Sequence, residues 1–120
     1  LQFPELVLEN GAGLSRTERI SAKHLGMLLI RAYQSPLMPE FIASLPLIAV
    51  DGTMKKRLNG EEISGRGHIK TGSLEGVRAI AGYVLDHKGR MMMVVCLVNH
   101  PRATGTEPFE DVLLQWVYRR

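Results

Sequence analysis

Gly67-His68-Ile69-Lys70-Thr71-Gly72, then Val77-Arg78-Ala79-Ile80-Ala81-Gly82-Tyr83-Val84-Leu85-Asp86, then Arg90-Met91-Met92-Met93-Val94-Val95-Cys96-Leu97-Val98-Asn99 is the stretch on which the reading of the fold turns. Each run is short, carries apolar or β-branched residues, and ends at turn residues, which predicts three strands. His87-Lys88-Gly89 joins the last two as a tight hairpin, so those strands run antiparallel. Ile80, Tyr83 and Val84 fit a sheet buried on at least one face. The apolar run from Met91 to Val98 falls far short of the ~20 residues that cross a bilayer, so it reads as a buried strand and not as a transmembrane segment. Cys96 lies inside it and is the only cysteine. An intrachain disulfide is thereby excluded, and a buried, inert thiol is expected.

Outward from the strands, the chain reads as helices and turns. Ser21 is a good N-cap for a helix running to Tyr33, with Leu25, Leu28, Leu29 and Ala32 on its buried face. Ser35-Pro36 ends it. A short helix is expected from Glu40 to Leu45 after Pro39, stopped by Pro46. Asp51-Gly52-Thr53 marks a turn, and Lys55 to Glu62 reads as a polar, exposed connection. Pro108 to Arg120 forms a helix, with Phe109, Val112, Leu113, Trp116 and Val117 expected on one core-facing stripe. The fold class is α+β, an antiparallel sheet flanked by helices. Three strands make a narrow sheet, and its first edge stays open unless further strands cover it. That edge offers a route to homo-oligomers.

Composition bounds the alternatives. Hydrophobic residues make up 45% and charged residues 22% of the 120, which fits one globular unit and excludes a disordered chain. The net charge of +3 raises the question of nucleic acid, but acidic pairs such as Glu61-Glu62 and Glu110-Asp111 interrupt any basic stripe. No aromatic residues alternate with the basic ones, so no nucleic-acid partner is expected. His24, His68, His87 and His100 show no metal-ligand spacing among themselves or with Cys96. The start, Leu1-Gln2-Phe3-Pro4-Glu5, has no initiator Met and no signal-like apolar region, and reads as the middle of a longer chain.

Chemistry is concentrated in Gly65-Arg66-Gly67-His68-Ile69-Lys70-Thr71-Gly72-Ser73-Leu74. A Lys-Thr-Gly at the end of a strand, followed by a hydroxyl residue and an antiparallel hairpin, matches the third motif of serine penicillin-binding enzymes. A site that binds a peptide ending in a carboxylate needs these residue types. Lys70 would set a positive charge beside the carboxylate and the proton-transfer network, and Thr71 and Ser73 would offer it hydroxyls. Gly72 would leave room for the peptide to lie along the strand edge as an added strand. The Ser73 backbone N–H would be an oxyanion donor, a role whose loss typically costs ~3 kcal/mol of transition-state stabilisation.

Other stretches extend the match. Glu9-Asn10-Gly11-Ala12-Gly13-Leu14-Ser15-Arg16 resembles the (Asp/Glu)-(Asn/Gly)-Ser-Gly-Leu-Ser-Arg loop of the D-Ala-D-Ala carboxypeptidase/endopeptidase family, the DacB-like class C low-molecular-mass penicillin-binding proteins. Ile20-Ser21-Ala22, Leu45-Pro46-Leu47, Asp51-Gly52-Thr53, the Lys70 motif, Arg78 to Val84 and a strand ending at Asn99-His100 follow in that family's order. The resemblance covers essentially the whole chain, and Ala12 departs from it where the family often has a small hydroxyl residue. It implies a partial β-lactamase/transpeptidase-like fold, with residues 1–120 as the C-terminal part of a penicillin-binding domain. It also implies a periplasmic enzyme that cleaves peptidoglycan stem peptides through an acyl-serine intermediate that β-lactams trap, without metal or organic cofactor. None of Ser15, Ser21, Ser35, Ser44, Ser64 and Ser73 opens a Ser-x-x-Lys or Ser-x-Asn element. The family places both N-terminal to this stretch, so the nucleophile is expected in that missing N-terminal part and the chain alone is expected to be inactive. A Ser73, His68 and Asp51 triad can be drawn on paper only. The alternative reading is a module that binds peptidoglycan peptides without cleaving them.

Overall fold

Residues 1–120 are described by a computed structural model. Strand β1 spans Gly67–Leu74, β2 Val77–Leu85 and β3 Met91–Asn99. They form one antiparallel sheet in the order β1-β2-β3, as expected. Helix α1 (Ala22–Tyr33), α2 (Met38–Ala43) and α3 (Glu107–Arg119) flank it, with short 3-10 turns at Gly52–Met54 and Ala103–Thr106.

Alternation along the strands gives the sheet two different faces. Tyr83 points to the α1 side, where its hydroxyl donates to Leu29 O at 2.7 Å. Burial pushes its phenol up from the usual range, and the rings of Tyr33 and Phe41 lie 6.1 and 6.4 Å from it. Ile69, Ile80 and Val84 point to the other side. There they join Ile48, Met54, Ile63, Val94, Leu114 and Val117 in the main core. Each such buried aliphatic side chain contributes roughly 1.5–3 kcal/mol. Asp86 closes the β2–β3 hairpin: its carboxylate accepts from Lys88 N, Arg90 N and Arg90 Nε at 2.7–2.9 Å. Burial pushes that carboxyl up, but the bonds from Arg90 and Lys88 outweigh it and the net direction is down.

Five expectations need correction. Leu28, expected on the buried face of α1, is 42% exposed, and Leu29 is the residue of that helix that is buried. Strand β1 continues past Gly72 to Leu74, so Lys70 to Gly72 sit inside a strand rather than at its end. Helix α2 begins at Met38, since Pro39 fits the first turn of a helix, and closes at Ala43. Lys55 to Glu62 is not uniformly exposed, because Arg57 is buried and Leu58 packs against the core. On α3 the buried positions are Glu110, Leu114 and Val117, and Leu113 is half-buried. Phe109, Val112 and Trp116 are 58%, 64% and 56% exposed. The physical reason is charge. Glu110 turns inward to Arg57 and Arg78, and that rotation carries the aromatic stripe outward.

Gly82 sets the spacing of β1 and β2. A Cβ there would come within 2.0 Å of His68 O, a backbone atom of the neighbouring strand. Gly82→Ala is expected to lower stability by about 3 kcal/mol, the upper part of the range for overpacking. The urea midpoint reads the change, and an unaltered midpoint would contradict so close an approach of the strands.

Candidate functional site

Residues that exchange hydrogen bonds across an antiparallel ladder alternate with residues that do not. Arg66 O accepts from Leu85 N, whereas Ile69 N–H donates away from the sheet to Pro46 O, and Gly67 O accepts from Ile48 N. The even positions of β1 therefore bond to β2, and the N–H and C=O of 67, 69, 71 and 73 face outward. The segment 46–48 takes that outer edge as far as Ile69. Beyond it, the N–H groups of Thr71 and Ser73 look out from an uncovered strand edge. This is the backbone geometry that recognises an extended peptide.

The side chains reach this edge from opposite faces. Lys70 lies across from Ala81, on the α1 side. It is exposed, and its ammonium folds back over the edge to donate to Thr71 O at 2.6 Å. Thr71 and Ser73 lie across from Ile80 and Arg78, on the α3 side. Thr71 Oγ1 and Thr53 Oγ1 share a hydrogen bond of 2.7 Å, and Ser73 Oγ accepts from Arg78 Nη1 at 3.3 Å. Gly72 leaves its face bare next to Ala79, 3.4 Å from where a Cβ would stand. One positive charge, two hydroxyls and two backbone donors thus converge on a few residues of strand edge. His68 and Asp51 do not join them. His68 Nδ1 lies 3.2 Å from Leu45 O, and Asp51 Oδ1 accepts from Leu47 N, so the triad drawn from the sequence is not assembled.

Behind the edge stands an ion cluster that the sequence reading missed. Arg57 donates to Asp111 Oδ1 through Nε and Nη2 at 2.8 and 2.5 Å, and its Nη2 lies 3.2 Å from Glu110 Oε2. Arg78 Nη2 donates to Glu107 Oε2 at 2.6 Å and lies 3.6 Å from Glu110 Oε2. Glu110 is fully buried. The signal was present: 110, 114 and 117 share one helical face, and Arg78 alternates with Ile80 and Val84 on one face of its strand. Cys96 is half-buried near the same carboxylate, and burial first, then the Glu110 charge, push its thiol up. The expected full burial is therefore not met, whereas the raised thiol accords with low reactivity.

The loop from Glu9 to Arg16 is held beside the β1–β2 turn. Arg16 Nη1 donates to Glu75 O at 2.8 Å. Glu18 accepts from the N–H groups of Glu9, Asn10 and Gly11 at 3.2–3.3 Å, and these bonds, that of Glu9 first, hold its carboxyl below the usual range. Ala12 takes part through its backbone, donating N–H to Asn10 Oδ1 at 2.9 Å. A cavity of about 730 Å³ opens beside this loop, between Arg16, Glu18, Arg19, Val77, Leu97 and Asn99.

With this geometry in place, comparison with known proteins settles the kinship. The model of the D-Ala-D-Ala carboxypeptidase 3 (S13) family matches residues 1–117. The chain belongs to that family. Within it, the chain is 34% identical over 100 residues to the D-alanyl-D-alanine carboxypeptidase of Actinomadura sp. (strain R39), covering 79% of this chain and 19% of that protein. It is 36% identical over 105 residues to the penicillin-sensitive carboxypeptidase A of Dictyostelium discoideum, covering 82% and 20%. The crystal structure of penicillin binding protein 4 from Haemophilus influenzae superposes with a TM-score of 0.88 at 26% identity, over 99% of this chain and 29% of that one. This S13 chain thus spans about a fifth of the length of these curated relatives. Its three-stranded α+β arrangement is that of the corresponding part of the Haemophilus protein.

The N-terminal segment of this S13 chain is fastened by Glu5. Its carboxylate accepts from Ser21 N at 3.0 Å and meets His24 Nδ1. Hydrogen bonding to Ser21 first, and to His24 among the smaller causes, lowers its pKa from 4.5 to about 2 against some burial. A carboxyl lowered on folding stabilises the folded state above its unfolded pKa, and that stabilisation is lost as pH falls through the folded pKa. Amide-exchange protection at Ser21 is expected to fall as pH drops from 4.5 to about 2, and Glu5→Gln should remove that dependence. Persistence of the dependence in Glu5→Gln would assign it to another group.

Proposed function

We propose that this chain supplies the Lys-Thr-Gly strand of a serine-type D-Ala-D-Ala carboxypeptidase/endopeptidase acting on peptidoglycan stem peptides. Residues 1–120 are read as the C-terminal part of its penicillin-binding, transpeptidase-like domain, and the place of action as the periplasm. Membership in the S13 family supports the enzyme class. The observation that carries the reading is the uncovered edge of β1, where the Ser73 N–H faces outward and the Lys70 ammonium lies across the same margin. A peptide laid along that edge brings its terminal carboxylate to Lys70, Thr71 and Ser73.

The chemistry runs in two balanced steps. A serine hydroxyl from outside these residues forms a bond to the penultimate D-Ala carbonyl carbon, and the Ser73 N–H stabilises the resulting oxyanion. The C–N bond then breaks, the terminal D-Ala leaves as an amine carrying the serine's proton, and an acyl-serine remains. Water adds to that ester, and the serine oxygen leaves and regains a proton. Lys70 acts by charge and Gly72 by leaving the face clear. β-Lactams would form the same ester by ring opening, with nothing released.

Intact-mass spectrometry after incubation with a penicillin tests the reading, on this chain alone and on the full-length protein that carries it. A penicillin-sized gain on the full-length protein only is expected. An adduct on a serine of the isolated chain would place the nucleophile here and overturn the assignment. No gain on either would move the function to non-catalytic binding of peptidoglycan peptides. In the full-length protein, Lys70→Ala is expected to lower kcat/KM for a D-Ala-D-Ala peptide by about 10- to 100-fold, the worth of one hydrogen bond to a charged group. An unchanged value would remove Lys70 from the site.

A further inference from the structure

Arg78 stands opposite Ser73 in the β1–β2 register. Because the outward-facing positions of β1 form the non-hydrogen-bonded pairs, the two side chains spring from backbones only ~4.5 Å apart at Cα. The guanidinium is tightly held. Its side chain is 14% exposed, Nη2 donates to Glu107 at 2.6 Å and lies 3.6 Å from Glu110, and Nε is buried without a hydrogen-bond partner. Only Nη1 reaches out of the cluster, to Ser73 Oγ at 3.3 Å.

The donor inventory gives this contact a direction. Arginine has five N–H donors and no acceptor, whereas a serine hydroxyl has one proton and two lone pairs. Ser73 Oγ therefore accepts from Arg78, and its own proton has to go to a partner elsewhere. Arg78 closes the α3 side, so the direction left is the open edge. Accepting one hydrogen bond also polarises the O–H and strengthens its donation.

We propose that Arg78 is a positioning residue: it holds Ser73 Oγ as an acceptor and so turns the Ser73 hydroxyl proton outward, ready to be donated to the terminal carboxylate of a bound peptide. This rests on the reading of β1 as the carboxylate-binding edge and adds a division of labour to it. The charge of Arg78 is met by Glu107 and Glu110, whereas the Lys70 ammonium is exposed and faces only a carbonyl. Lys70 supplies charge and Arg78 supplies direction.

The test uses the full-length protein and two substrates, a peptide ending in D-Ala-D-Ala and the same peptide as its C-terminal methyl ester. The readout is the ratio of kcat/KM for acid over ester within each variant, so any loss of folded enzyme cancels. Arg78→Gln is expected to lower that ratio about 10-fold, mainly through KM for the acid, in line with the worth of a hydrogen bond to a charged group. Arg78→Lys, which keeps a donor, should recover most of it. In a Ser73→Ala background, Arg78→Gln should change the ratio less than about 2-fold, because the partner it acts through is gone. Equal losses on acid and ester, or the same 10-fold loss without Ser73, would overturn the proposal while leaving the carboxypeptidase reading intact. A wild-type protein that turns over neither peptide and takes up no penicillin would overturn both.

Discussion

A carboxylate with no exposure to solvent sits between two guanidinium groups, and much of the molecule is arranged around it. Glu110 belongs to α3, Arg57 to the connection before β1, and Arg78 to β2. Three parts of the chain far apart in sequence thus meet at one charge. Taking such a group out of water costs several kcal/mol, more than one buried aliphatic side chain returns, so it is tolerable only with both cations in place. Hence the rotation of α3 is not the one its apolar residues alone would select. Phe109, Val112 and Trp116 face outward because Glu110 has to face inward.

The same arrangement explains what could be read from the sequence and what could not. The three strands, their antiparallel order and the Ser21 cap were legible because each depends on neighbours within a few residues. The rotation of α3 was not, because it depends on Arg57 and Arg78, which lie 54 and 29 residues from their partners Asp111 and Glu107. A helical wheel weighs hydrophobicity and has no term for a distant cation. Arg57 was hidden for a related reason: within Lys55-Lys56-Arg57 it looks like surface charge. At the candidate site the residue types were legible. Their division between two faces of β1, with Lys70 curling over the edge, came only with the register.

Thr53 shows a milder form of the same limit. The sequence marks Asp51-Gly52-Thr53 as a turn, which it is, with a 3-10 turn at Gly52–Met54 and Gly52 at φ 52°. What the turn does is bring the Thr53 hydroxyl to that of Thr71. Turn chemistry is local, but the position to which a turn delivers its side chain depends on the sheet beside it. Both hydroxyls of the Lys-Thr-Gly-Ser stretch are therefore backed by a residue from another element, Thr71 by Thr53 and Ser73 by Arg78.

The segment 46–48 bonds to β1 at Gly67 and Ile69 and goes no further. At ~3.3 Å per residue, the bare stretch beyond it is on the order of 10 Å long. Any strand added there runs into Pro46 after a few residues, so the margin works as a cul-de-sac.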